Sequence, residues 1–240
     1  QGAVICGAYG RGNAGDEAIL QAIVSQMRAI NPDMPLTVMS RNKEETRLSN
    51  HTNSIYIFNV PSFLKYLRKS RIFINGGGSL IQDVTSSRSL YFYLFTLCAA
   101  RVCGCRVIMY GCGIGPINRA ANRRLAARIL NRNVEIITLR DSVSLKVLAS
   151  MGVVKPEIRH SADPTVNLPK ATPEQVAAAF AREGLPSDAP KICFCLRNWP
   201  GFTHPEYFAA AADYAYEKYG LAPVFLPTEL PRDVEAGQKV

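Results

Sequence analysis

The sequence has little with which to bind a metal, cross a membrane or build a disulfide framework. Its three histidines, His51, His160 and His204, stand far apart, none at metal-ligand spacing from another, and no metal and no role are assigned to them. Its most apolar stretch, Leu90 to Ala100, is well short of the roughly 18 to 20 residues that span a bilayer. No basic leader opens the chain: Ala3-Val-Ile-Cys6 already reads as a core strand, so a cytoplasmic protein is expected. No repeat or low-complexity tract interrupts it. The seven cysteines are odd in number and lie mostly in apolar runs, which argues against paired disulfides. Cys103-Gly-Cys105 and Cys193-Phe-Cys195 lack the two-residue gap and second pair of a zinc site, and read as buried thiols.

What is there is ordinary globular material. Of 240 residues, 48% are hydrophobic and 20% charged, enough apolar content to bury a core. A net charge of +9 favours anionic partners: phosphates, acidic sugars, nucleic acid or an anionic membrane face. No nucleic-acid motif and no interleaving of aromatic with basic residues accompanies that charge, so nucleic acid is not expected.

Short apolar runs at Ala3–Cys6, Leu36–Met39, Ile55–Phe58, Arg71–Asn75, Arg106–Tyr110 and Glu135–Leu139 alternate with helical patterns. In the first of these, Ile19, Ala22, Ile23, Met27 and Ile30 form one stripe, and Asn31-Pro32 ends it. Near-continuous apolar strands between amphipathic helices predict an α/β fold, a Rossmann-like domain with a parallel sheet over residues 1–165. Residues 166–190 read as a connecting segment with one helix, Pro173–Glu183. A second Rossmann-like domain starts in 191–240, with strand Lys191–Leu196, helix Pro205–Tyr219 and strand Pro223–Leu226. Two strands leave their faces uncovered, so this second domain is expected to be incomplete in the chain.

Three glycine-rich turns follow strands. The first runs Gly7-Ala-Tyr-Gly10-Arg-Gly12-Asn13-Ala-Gly15-Asp16-Glu17 into a helix, whose N-terminus offers free N–H groups to an anion. Its spacing is not that of a dinucleotide fingerprint, and Asp16 and Glu17 either stabilise the helix dipole or touch a ligand. The second is Asn75-Gly76-Gly77-Gly78-Ser79-Leu-Ile-Gln82-Asp83. Three successive glycines are entropically costly and show no packing purpose in the sequence, which points to a ligand; Gln82 and Asp83 could reach sugar hydroxyls. The third is Gly111-Cys-Gly113-Ile-Gly115-Pro116. In a parallel sheet all three fall on the carboxyl edge, which also receives Arg140-Asp141 and Asp163.

In the second unit Cys195-Leu-Arg197-Asn-Trp199-Pro-Gly201 follows a strand in the same way. The planar fork of Arg197 could hold a phosphate or carboxylate, or form a surface ion pair. Trp199, the only tryptophan, is either core packing or a sugar platform. A basic helix with Arg119, Arg123, Arg124, Arg128 and Arg132, together with Lys65, Arg68, Lys69 and Arg71, is either a solvated face or a contact to an anionic membrane surface.

Taken in order, Gly7–Leu20, Asn75–Asp83 with Thr85-Ser-Ser-Arg-Ser89, Gly111–Ile117, Leu139-Arg-Asp-Ser142, Ser161-Ala-Asp-Pro164 and Leu196-Arg-Asn-Trp199 resemble the polysaccharide pyruvyltransferase family, most closely its CsaB-like branch. The resemblance implies a two-domain GT-B-like fold with the active site between the domains. It implies transfer of the pyruvyl group of phosphoenolpyruvate to two hydroxyls of a sugar, a lipid-linked N-acetylmannosamine in the CsaB-like branch, giving a cyclic ketal and phosphate. No cofactor is implied beyond phosphoenolpyruvate as donor substrate, and the basic surface fits work at the inner membrane face. The sequence departs from the pattern at Arg11, where an aromatic is more usual, at Cys112 for glutamine and at Asn198 for proline. A later Arg-Leu-His motif expected to bind the donor is absent, so part of the donor site is expected to be missing.

On this reading Arg197 and Arg140 bind the donor. Gly12, Asn13, Gly15, Asp16, Gly76, Gly77, Gly78, Ser79, Gln82, Gly113 and Gly115 hold the acceptor or its diphosphate. Asp16, Asp83 and Asp163 are unranked candidates for the acid that protonates the enol methylene and the base that takes the hydroxyl proton. A glycosyltransferase of the same two-domain type using a nucleotide sugar, and an inactive sugar-binding fragment, are the alternatives.

Overall fold

Gly2–Cys6 carries no polar side chain and is buried throughout; it forms β1 at the heart of a parallel sheet in the computed structural model, which describes residues 1–185, 189–199 and 201–240. Pro186–Asp188 of the connecting segment and Pro200 of the loop after Arg197 lie outside the described residues. Two units are distinguished: Gln1–Arg11 with Gly15–Leu168, and Gly12–Ala14 with Pro169–Val240.

In the first unit β1 is followed by α1 (Ala14–Ile30), β2 (Leu36–Ser40), α2 (Lys43–Asn50), β3 (Asn53–Tyr56), α3 (Val60–Leu67) and β4 (Ser70–Gly76). There follow α4 (Ser87–Val102), β5 (Arg106–Cys112), α5 (Ala120–Asn133), β6 (Ile136–Leu139), α6 (Ser142–Ser150) and β7 (Glu157–His160). The strands pair in parallel in the order β3-β2-β1-β4-β5-β6-β7, the doubly wound arrangement expected. Successive side chains of β1 point to opposite faces. Ala3 and Ile5 pack with Ile19, Leu20 and Ile23 of α1, while Val4 and Cys6 pack with Phe63, Phe73 and Leu94. Ile30 of the predicted stripe is exposed, because α1 ends there.

Two strand expectations need correction. The third strand is Asn53–Tyr56 rather than Ile55–Phe58, and Phe58 lies beyond it, exposed. The strand β7 was not anticipated, because Glu-Ile-Arg-His at a sheet edge is largely exposed and has no apolar run to reveal it. Arg119 also proves to be the residue before α5 rather than part of it, and Arg123 is half-buried, donating to Ser150 Oγ at 2.8 Å.

The second unit contains α7 (Pro173–Arg182), β8 (Lys191–Phe194), α8 (Pro205–Tyr219), β9 (Ala222–Phe225) and α9 (Val234–Gln238), with β8 and β9 paired in parallel. A capping box of Thr172 and Gln175 starts α7, satisfying donors that the helix itself cannot. The thiols of Cys193 and Cys195 are exposed and not buried as expected; they lie 3.9 Å apart, since residues two apart along a strand share one face. Among the described residues no helix is long and apolar enough to cross a membrane, and no group of three metal-ligating side chains converges.

Candidate active site

The strand order reverses between β1 and β4, so the chain diverges there at the carboxyl edge and leaves a crevice. The second glycine turn leaves β4 at this point, and the third runs beside it. Gly113 N–H donates to Gly78 carbonyl at 2.9 Å, Gly115 N–H to Ile81 carbonyl at 2.8 Å, and Asp83 N–H to Pro116 carbonyl at 3.2 Å.

The successive glycines have a packing purpose after all. A β-carbon at Gly76 would lie 2.5 Å from Ile23 Cδ1 and 2.6 Å from Tyr9 Oη, and one at Gly77 would lie 2.1 Å from Ile19 Cγ2 at a φ of +66°. These positions are narrowed by α1 pressing on the turn, a contact the sequence does not display. Gly78 is different: a β-carbon there would meet only Asp16 Oδ1 at 3.4 Å and Leu80, so Asp16 stands beside the turn. At Gly113 a β-carbon would come within 2.5 Å of Ser79 Oγ and 3.5 Å of Arg140 Nε. Asp16, Gly78, Ser79, Gly113 and Arg140 are thus gathered along one edge.

Arg140 follows β6 and its Nη1 donates to Asp163 Oδ2 at 2.8 Å; both side chains are about two-thirds buried. Asp163 Oδ1 also accepts from Thr165 N–H at 3.0 Å and Thr165 Oγ1 at 2.8 Å, capping the short 3-10 helix Pro164–Asn167. Burial pushes this carboxyl's pKa up, but the Thr165 N–H, Arg140 and the Thr165 hydroxyl together outweigh it and hold it below the ordinary value. Arg140, expected to bind the donor, and Asp163, one of the three acid–base candidates, are therefore partners of each other.

Asp83 serves a helix. Its carboxylate accepts from Asn118 N–H at 2.7 Å, Arg119 N–H at 3.1 Å and Asn122 Nδ2 at 2.8 Å, at the start of α5, where no local side chain caps. Desolvation raises its pKa, yet these donors outweigh it and the net shift is downward. Gln82 is turned onto its own loop, bonding Thr85 Oγ1 and accepting from Val84 N–H at 2.7 Å. Asn75, fully buried before the glycines, has neither side-chain polar atom paired among the described residues.

Gly12 and Asn13 fall in the second unit, where Leu230 N–H donates to Gly12 carbonyl at 3.0 Å and Asn13 bridges Glu229. Gly15 is the second residue of α1. Arg197 is held by Glu229 and, through Nε at 3.5 Å, by Asp233. Asp233 is a residue sequence reasoning missed, for nothing but its place after a turn marks it. It is buried and accepts from Thr228 Oγ1 and Glu229 N–H, both at 2.9 Å, and from Asn198 N–H at 3.2 Å. Burial raises its pKa; the Thr228 hydroxyl, the two N–H groups and Arg197 outweigh that and lower it. Trp199 is about half exposed, with Arg197 and Arg232 over its ring at 5.6 and 5.1 Å, so it is not core packing.

Comparison with solved structures places this architecture. HepE of Anabaena, solved with UDP-glucose, superposes with a TM-score of 0.59 at 12% identity, over 100% of this chain and 65% of that one. The UDP-GlcNAc 2-epimerase of Neisseria meningitidis bound to UDP-GlcNAc gives 0.57 at 14%, over 98% and 68%. MnaA of S. aureus with UDP gives 0.56 at 13%, over 100% and 66%. At these identities the likeness is one of fold, the GT-B type, and the chain spans only about two-thirds of each structure. No curated protein matches the chain. The family model for polysaccharide pyruvyl transferase matches residues 13–233, and by that match the chain belongs to the polysaccharide pyruvyl transferase family.

Proposed function

We propose that the protein moves the pyruvyl group of phosphoenolpyruvate onto two hydroxyls of a cell-wall or exopolysaccharide sugar. In keeping with the CsaB-like motifs, the acceptor is a lipid-linked N-acetylmannosamine, met at the inner face of the cell membrane by a peripheral protein whose exposed Arg124, Arg128 and Arg132 on α5 supply charge for anionic lipid. The observation that carries the reading is the family match over residues 13–233.

In this reaction a proton adds to the enol methylene, and the first hydroxyl attacks the resulting cation at C2. Phosphate then leaves, and the second hydroxyl attacks to close the ketal. The two hydroxyl protons end on the new methyl group and on phosphate. Arg197 neutralises the donor's phosphate or carboxylate, which competes with Glu229 for the guanidinium. Asp83 and Asp163 are kept ionised at neutral pH, which suits neither to protonate the methylene, and Asp83 is committed to α5. The base that takes the hydroxyl proton is Asp16 or Asp163.

The test is to incubate the intact protein with phosphoenolpyruvate and lipid-linked N-acetylmannosamine. Phosphate release that requires acceptor, with an acceptor mass gain of one pyruvate less one water, supports the reading. Unchanged release by Arg197→Ala sinks the donor assignment. A nucleotide-sugar glycosyltransferase is the second reading, prompted by the UDP ligands of the three structural neighbours. Tight UDP binding without phosphate release would favour it, and sugar binding without turnover of either donor would favour a binding fragment.

A further inference from the structure

We propose that a cavity of about 450 Å³ in the first unit, lined by Arg11, Arg41 and Arg88, is a subsite for the diphosphate group of a sugar diphosphate; this rests on the reading above that the acceptor is a carrier-linked saccharide. The three arginines come from separate places. Arg11 is in the loop after β1, Arg41 follows β2, and Arg88 is in the first turn of α4. The fold alone brings them to one cavity at the carboxyl edge.

Among the described residues no acidic side chain lines the cavity and none of the three guanidiniums is ion-paired. Three like charges converging on one concave surface repel each other and create a positive potential that an arriving anion relieves. The chain's other arginines with catalytic interest, Arg140 and Arg197, are already held by carboxylates. Guanidinium forks match phosphate oxygens two at a time. Three forks are more than one phosphate needs, and a diphosphate offers a second set of oxygens.

The wall beside the charges says what the diphosphate is attached to. Arg41 lies 5.0 Å over the Phe58 ring, Phe58 meets Phe92 edge-on at 5.2 Å, and Phe92 meets Tyr93 at 5.3 Å. Phe58, Phe92 and Tyr93 line the cavity beside the guanidiniums, and its volume falls in the range that encloses a whole organic ligand. Phosphoenolpyruvate, with three carbons, would leave the wall uncovered. A sugar, prenyl or nucleoside group on a diphosphate would cover it.

Binding is read by calorimetry on the intact protein with geranyl diphosphate, UDP and phosphoenolpyruvate as probes, and the acceptor KM is read separately from the phosphoenolpyruvate KM. Geranyl diphosphate or UDP should bind, and Arg41→Gln and Arg88→Gln should each weaken it about tenfold or more, with the Lys variants in between because a point charge lacks the fork. The acceptor KM should rise while the phosphoenolpyruvate KM holds. Preference for geranyl diphosphate identifies a lipid-linked source and preference for UDP a nucleotide-linked one; either supports the subsite. The proposal is overturned if neither diphosphate binds, if the glutamine variants bind as the parent does, or if the variants weaken phosphoenolpyruvate instead. Unaltered thermal midpoints check that the exposed arginines were replaced without loss of fold. Because binding needs no turnover, a parent protein that binds diphosphate but transfers no pyruvyl group would refute the reaction and keep the subsite.

Discussion

The Tyr9 hydroxyl donates a 2.8 Å hydrogen bond to the Gly76 carbonyl, tying the loop after β1 to the end of β4 at the point where the strand order reverses. The bond is buried, so neither group has water to fall back on. A glycine at 76 lets the phenol approach this closely, since any β-carbon there would sit 2.6 Å from Tyr9 Oη.

Gly76→Ala should therefore destabilise the first unit by about 1–3 kcal/mol through overpacking. Tyr9→Phe should cost about 1–3 kcal/mol by leaving the Gly76 carbonyl unpaired. Thermal melts report both. A midpoint for Gly76→Ala equal to that of the parent would show that Ile23 and Tyr9 can move aside.

Asp83→Ala should weaken the start of α5 by about 0.5–2 kcal/mol, the usual worth of an N-terminal cap. Hydrogen exchange should quicken at the first turn of α5, around Arg123 and Arg124, with α1 unaffected. If exchange there is unaltered, Asp83 is free for chemistry rather than committed to the helix.

The Asp163 pair makes a prediction about pH. Its folded pKa lies below the unfolded value near 3.9, so its stabilisation is complete above that value and is lost as pH falls through the folded one. Urea melts of the parent and Asp163→Asn should differ by a constant amount near neutrality and converge in acid. In Arg140→Gln the Asp163 carboxyl should titrate higher by NMR, and an unmoved titration would mean Arg140 is not its partner in solution.

Thiol alkylation of the native chain should label Cys193 and Cys195 before Cys6 and Cys112. The first two are exposed, whereas burial pushes the Cys6 and Cys112 thiols up to about 12 and leaves almost no thiolate. Mass spectrometry of timed digests gives the order. Labelling of Cys112 without unfolding would contradict its burial.

Much of the fold was legible because helix and strand signals are local. Pro205 at the start and Gly220 after the end, in the left-handed conformation that glycine tolerates, set α8 where the pattern placed it. Central strands such as Leu36–Ser40 are buried on both faces and mostly apolar, and so declare themselves; the edge strand Glu157–His160 does not, since solvent asks nothing apolar of it. The candidate site was legible only as a set of positions on one edge. For Gly77, read from the sequence as a ligand contact, the structure adds a packing reason that the sequence hid: Ile19 lies 2.1 Å from where its β-carbon would be. Arg11 stood out as a departure and Arg88 within Thr85–Ser89, but nothing joined them to each other or to Arg41, because the three belong to different segments.

The three glycine turns, the alternation of strand and helix and the parallel sheet were determined by the sequence itself, through hydrophobic period, caps and breakers that act within a few residues. Only the tertiary structure decided the strand order and the pairing of charges: Asp83 with the start of α5, Arg140 with Asp163, Arg197 with Asp233. The reason is physical. An ion pair or a close backbone approach depends on a distance between segments 20 or more residues apart, set by how the helices pack on the sheet, and residue order alone carries no such distance.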